Sequence, residues 1–95
     1  MSGVDRVYGL YEIEVEAWNG MDALMRISNM MRRAKLDYKR LNASFDERMV
    51  RLRVEALGSG PEVRWLTVKL SRMPETHRVE ARLLKLLDKM VTHVG

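Results

Sequence analysis

Leu10-Tyr11-Glu12-Ile13-Glu14-Val15-Glu16-Ala17 alternates without a fault, with Tyr11, Ile13, Val15 and Ala17 on one parity and Glu12, Glu14 and Glu16 on the other. Successive side chains of a strand point to opposite faces, so the stretch predicts a half-buried strand with a row of carboxylates on its outer face. Asn19-Gly20 ends the alternation. Asp22 then sits where it stabilises a helix N-terminus, and Ala23, Leu24, Ile27, Met30, Met31 and Ala34 recur at helical spacing, predicting a helix over 21–34. Arg32, Arg33 and Lys35 suit the negative end of its dipole.

Residues 36–45 form a weaker strand. Leu41, Ala43 and Phe45 alternate, but Leu36 and Tyr38 have the opposite parity, which predicts a bulge or an edge position. After the polar turn Asp46-Glu47-Arg48, Val50, Leu52, Val54 and Ala56 alternate with Arg51, Arg53 and Glu55, so the two segments make a hairpin. Gly58-Ser59-Gly60-Pro61 reads as a loop opening a second helix that runs to about Arg72 and buries Val63, Leu66 and Leu70. His77, Val79, Ala81 and Leu83, alternating with Arg78, Glu80 and Arg82, predict a fourth strand with His77 on its inward parity. Beyond it Leu83, Leu84, Leu86, Leu87, Met90 and Val91 have helical spacing and predict an amphipathic C-terminal helix.

The expected fold is thus α+β, a ferredoxin-like βαββαβ antiparallel sheet with both helices on one face. Right-handed crossovers give the strand order 4-1-3-2. An N-terminal extension over 1–9, the domain over 10–83 and a C-terminal helix or tail over 84–95 complete the organisation. Ninety-five residues, 46% hydrophobic and 32% charged, fit a single folded domain and exclude a multidomain enzyme. The absence of cysteine excludes disulfides and thiolate chemistry and agrees with a reducing compartment, so a cytoplasmic location is expected. Apolar runs are far too short to span a bilayer, and the start Met1-Ser2-Gly3-Val4-Asp5 does not read as an export signal.

A net charge of +4 admits acidic partners or nucleic acid, but the strand order places the row Glu12, Glu14 and Glu16 between Arg51 and Arg53 on one side and Arg78 and Arg82 on the other. Cross-strand pairing then neutralises the open face. Single-stranded RNA recognition by such a sheet needs aromatic residues on that face, and Tyr11 has the core parity, so nucleic-acid binding is disfavoured. The cluster Arg32-Arg33-Lys35 with Lys39-Arg40 remains the place where it would occur. The two histidines form no metal-ligating cluster, and no serine has a nucleophile elbow. No catalytic residue, metal or cofactor is expected. Met21 and Met25 fall off the main helical stripe, consistent with a partner-facing helix end.

The element order together with the turn Asn19-Gly20-Met21-Asp22 resembles an ACT domain, the amino-acid-sensing βαββαβ module. Leu24-Met25-Arg26-Ile27, Met30-Met31-Arg32-Arg33 and Leu41-Asn42-Ala43 look like the short single-domain regulatory subunit of acetolactate synthase. The resemblance implies a non-catalytic subunit that forms a homodimer and docks on a larger thiamine-diphosphate-dependent catalytic subunit. It also implies that Asn19, Gly20, Met21 and Asp22 open an effector site in which backbone amides and a side-chain amide hold an amino acid. Arg26, Arg32 and Arg33 are the expected docking residues. A stand-alone amino-acid sensor is the alternative, and a plain strand-to-helix turn accounts equally well for the loop.

Overall fold

The computed structural model describes residues 8–87. Six elements follow the expected order: β1 (Tyr8–Trp18), α1 (Gly20–Arg33), β2 (Asp37–Asp46), β3 (Met49–Ser59), α2 (Gly60–Ser71) and β4 (Thr76–Leu87). The strands form one sheet ordered β2-β3-β1-β4, the expected order read from its other edge, and every neighbouring pair is antiparallel. The register sets Ile13 opposite Val54 and Val15 opposite Leu52, so the apolar parities of β1 and β3 share one face. Both helices cover that face. Ile13, Ile27, Leu52, Leu66 and Leu70 are almost wholly enclosed, and Tyr11 joins the core as its parity predicts. Each such aliphatic side chain contributes about 1.5–3 kcal/mol through burial.

Local chemistry fixes the helix ends. Ser59 caps α2, its hydroxyl accepting from the Glu62 amide at 3.4 Å, and Pro61 occupies the first turn where a missing N–H costs nothing. The segment Gly58-Ser59-Gly60-Pro61 is therefore a strand end and helix cap. Glu62 turns its carboxylate outward to accept the Lys35 amide at 2.9 Å, which ties the exit of α1 to the entry of α2. The β2 edge is bulged as expected: its register shifts between Tyr38 and Arg40, which lets Tyr38 face inward although its sequence parity is the opposite of Leu41.

Three expectations need correction. The strand β4 continues through Leu84, Lys85, Leu86 and Leu87 where a helix was expected, because Lys85, Leu86 and Leu87 pair with Leu10, Gly9 and Tyr8 beyond a register shift that skips Leu84. Leucines at 83, 84, 86 and 87 fit either period, and the available partner strand decides between them. The remainder of the expected helix, residues 88–95, lies outside the described residues. Likewise β1 starts at Tyr8, so Tyr8 and Gly9 belong to the domain and not to an extension. His77 is exposed instead of inward, because the register of β4 on β1 slips between Glu16 and Ala17 and leaves it in an irregular turn of strand.

Candidate functional site

The slip at the start of β4 also builds a groove. The Trp18 amide donates to the Glu75 carbonyl at 2.8 Å, clamping the end of β1 to the turn that follows α2. Thr76 Oγ1 donates to the Leu70 carbonyl at 2.7 Å and holds that turn against the helix. Across the clamp the ring of His77 meets Trp18 edge-on, with centroids 6.1 Å apart. Trp18, Asn19, Asp22, Met25, Arg26, Pro74 and Glu75 line an open depression of about 670 Å³ at this end of the sheet.

Within it Asn19 adopts a left-handed backbone, φ 71°, which asparagine tolerates better than most residues. Its side chain makes no capping bond to α1. Gly20 follows at φ +40° and gives its amide to the Arg48 carbonyl at 3.0 Å, so the β1–α1 turn is sewn to the β2–β3 turn. The amides of Asp22 and Ala23 both reach the Asn19 carbonyl. Among the described residues the Met21 amide has no comparable acceptor, which leaves it as the donor at the positive end of α1.

The charged groups of the groove come from three elements. Glu75 is buried, and its Oε2 lies 3.2 Å from Nη1 of the largely exposed Arg26. Asp22, one turn before Arg26 on α1, presents a second, exposed carboxylate. Of the residues singled out from sequence, Asn19, Asp22 and Arg26 come together here. Gly20 shapes the turn, and the Met21 side chain is exposed outside the lining. Arg32 and Arg33 stand exposed on the last turn of α1, away from the groove. Sequence reasoning missed Trp18, Pro74 and Glu75. Glu75 follows a proline between two elements, where no periodicity marks a residue as buried.

A second depression, on the open sheet face between Asn42, Ser44, Arg51, Arg53, Glu14 and Glu16, has its charges already paired. Arg51 binds Glu16 at 3.0 Å, Arg53 binds Glu14 at 3.0 Å, Arg78 binds Glu16 at 3.1 Å and Arg82 binds Glu12 at 2.9 Å. The expected neutralisation of this face holds. Among the described residues no group of His, Asp and Glu is placed to hold a metal ion, and no helix is long and apolar enough to cross a membrane.

No protein-family model matches the sequence. No curated protein sequence matches it either. Solved structures share the fold. The ACT domain from the GTP pyrophosphokinase of Chlorobium tepidum superposes with a TM-score of 0.72 at 10% identity, covering 79% of this chain and 99% of that one. An uncharacterized protein from Thermotoga maritima matches with a TM-score of 0.72 at 15% identity over 82% of this chain and 99% of its own. A homoserine dehydrogenase from Thiobacillus denitrificans matches with a TM-score of 0.68 at 12% identity over 90% of this chain but 19% of that enzyme. The fold is therefore the ACT-like version of the ferredoxin-like sandwich.

Proposed function

We propose that the chain is a non-catalytic regulatory module that binds a free amino acid in the Trp18–Glu75 groove and modulates an acetolactate synthase. The observation that carries this reading is the presence of both charge signs beside an apolar wall in one groove. A zwitterion needs such a site. The exposed Asp22 carboxylate suits an α-ammonium, while Arg26, anchored by the buried Glu75, and the Asn19 amide suit an α-carboxylate. Trp18, Met25 and Pro74 offer the side chain an apolar contact. The same fold in the ACT domain of a GTP pyrophosphokinase, and over part of a homoserine dehydrogenase, supports a module that serves a larger enzyme.

A ligand that binds only the folded chain raises its melting temperature in proportion to ln(1 + [L]/Kd), so a panel of the common amino acids, each at millimolar concentration, tests the ligand reading. One or a few should raise Tm, and Asp22→Ala should abolish the rise. A flat panel overturns the reading. Regulation further requires that the module bind two states of the synthase unequally. Arg32 and Arg33 lie clear of the groove and are the docking residues of this proposal. Replacing both with Glu should weaken activation or inhibition of acetolactate formation by added module at least tenfold in concentration. Unchanged titration would leave the stand-alone sensor as the better account.

A further inference from the structure

We propose that the ligand of the Trp18–Glu75 groove is an amino acid with a cationic side chain, of the lysine, ornithine and arginine class, and that Trp18 selects it. This inference rests on the reading of the groove as an amino-acid site and narrows it. The charged side chains of the lining are two carboxylates, Asp22 and Glu75, against one guanidinium, Arg26. Both oxygens of the buried Glu75 carboxylate turn to the same Nη1 of Arg26, Oε2 at 3.2 Å and Oε1 at 3.4 Å. Arg26 is thus committed to Glu75, and among the described residues Asp22 has no ion-pair partner. A zwitterion leaves that imbalance standing. With its α-carboxylate on Arg26 and its α-ammonium on Asp22, the carboxylates of Asp22, Glu75 and the ligand face the cations of Arg26 and the ligand, one positive charge short. The shortfall favours a ligand that brings a second cation and disfavours one that brings another anion.

The place for that second cation is the face of Trp18. Its side chain lines the groove and stays 48% exposed, yet it is held on two sides. The backbone is clamped through the Glu75 carbonyl, and the ring is braced by His77, whose plane stands at 69° to it. Indole is the side chain whose π face attracts an ammonium or guanidinium most strongly. The chain makes one such contact elsewhere, with Nζ of Lys69 5.7 Å from the centroid of Trp65. Met25 and Pro74 in the same lining give the methylene stem of the ligand an apolar bed, as a lysine side chain covers apolar surface while its head stays polar. An aromatic amino acid would also stack on Trp18, but it leaves the charge shortfall in place.

Calorimetric titration of the full chain with lysine, norleucine, phenylalanine and glutamate separates these contributions, because norleucine keeps the aliphatic stem of lysine and lacks its ammonium. Lysine should bind about tenfold tighter than norleucine or more, and glutamate weaker than norleucine. Trp18→Leu keeps an apolar wall without a π face, so lysine should fall to the level of norleucine while norleucine itself changes little. Trp18→Phe, which retains an aromatic face, should keep part of the preference, and circular dichroism verifies that each variant folds. Norleucine or phenylalanine binding as tightly as lysine overturns the cationic class and leaves the groove an amino-acid site. A preference for lysine that survives Trp18→Leu in full overturns the role of Trp18. Absence of binding by all of these amino acids up to about 10 mM overturns the reading of the groove and this inference with it.

Discussion

Tyr38 shows how one bulge changes the meaning of a residue. Its parity in the sequence puts it opposite to Leu41, but the slip at Lys39 turns it inward, where its hydroxyl donates to the Met31 carbonyl at 2.6 Å. Burial, helped by the nearby Glu62 carboxylate, pushes its phenol up to about 12. The neutral phenol is therefore the form the fold prefers. Its contribution is complete below pH 10, where the unfolded phenol is also neutral, and is lost as pH rises through about 12. Tyr38→Phe should cost about 1 kcal/mol at neutral pH in urea titrations, and should flatten the decline of stability between pH 10 and 12. An unchanged alkaline limb would remove Tyr38 as its source. Arg26→Ala makes a parallel case: it strips the guanidinium from buried Glu75, and because Arg26 is largely exposed the expected loss is about 1 kcal/mol. The same variant should lower amino-acid affinity more than tenfold if the groove holds the α-carboxylate. Arg26 was visible in the sequence as part of a motif, but its partner was not, since Glu75 is buried by a turn that only tertiary packing defines.

At the scale of elements, legibility tracked how local the deciding information was. The strands β1 and β3 and the stripe on α1 follow from period alone, because each has one face buried against the other. The end of β4 does not. Its leucines satisfy a helical and an extended pattern together, and the choice rests on Gly9, remote from Leu86 in the sequence but opposite it in the sheet. A side chain at Gly9 would run into the Lys85 carbonyl and come within 2.7 Å of Leu83 Cδ1, so glycine is what allows β1 and β4 to close there. Gly9→Val should destabilise the domain by about 1–3 kcal/mol. Hydrogen exchange should locate the damage: amides of Leu86 and Leu87 lose protection while those of Val50 and Leu52 in the middle of the sheet keep theirs. Protection lost evenly along β4 and β3 would mean that the pairing at Gly9 is no separate unit. Leu36 plays the matching part over Gly58 on the adjacent strand, another contact that no short-range pattern announces.

Over the whole molecule, charge is sorted by layer. The open sheet face interleaves Glu12, Glu14, Glu16 and Glu80 with Arg51, Arg53, Arg78 and Arg82 until each carboxylate of β1 has a guanidinium, while α1, α2 and their flanks carry Arg32, Arg33, Lys35, Arg64, Lys69 and Arg72. The excess of the +4 chain therefore faces away from the sheet, which is why an acidic partner is better served by the helices than by the strands. The paired face also gives the molecule a defined response to acid. The Arg78 hydrogen bond is the main reason that the Glu16 carboxyl lies below its ordinary 4.5, with desolvation opposing it and the charges of Arg78 and Arg51 assisting. A carboxyl depressed by folding stabilises the protein above its unfolded pKa, and that contribution is lost as pH falls through the lower folded value. Melting temperature measured from pH 7 to pH 2 should hold steady at first and fall below about 4.5. Glu16→Gln should melt lower at pH 7 and show a shallower acid limb, since the neutral amide keeps the shape but has no proton to take up. Parallel acid limbs for the two proteins would move the sensitivity to other carboxylates and leave the Glu16 pairs as surface contacts of little weight.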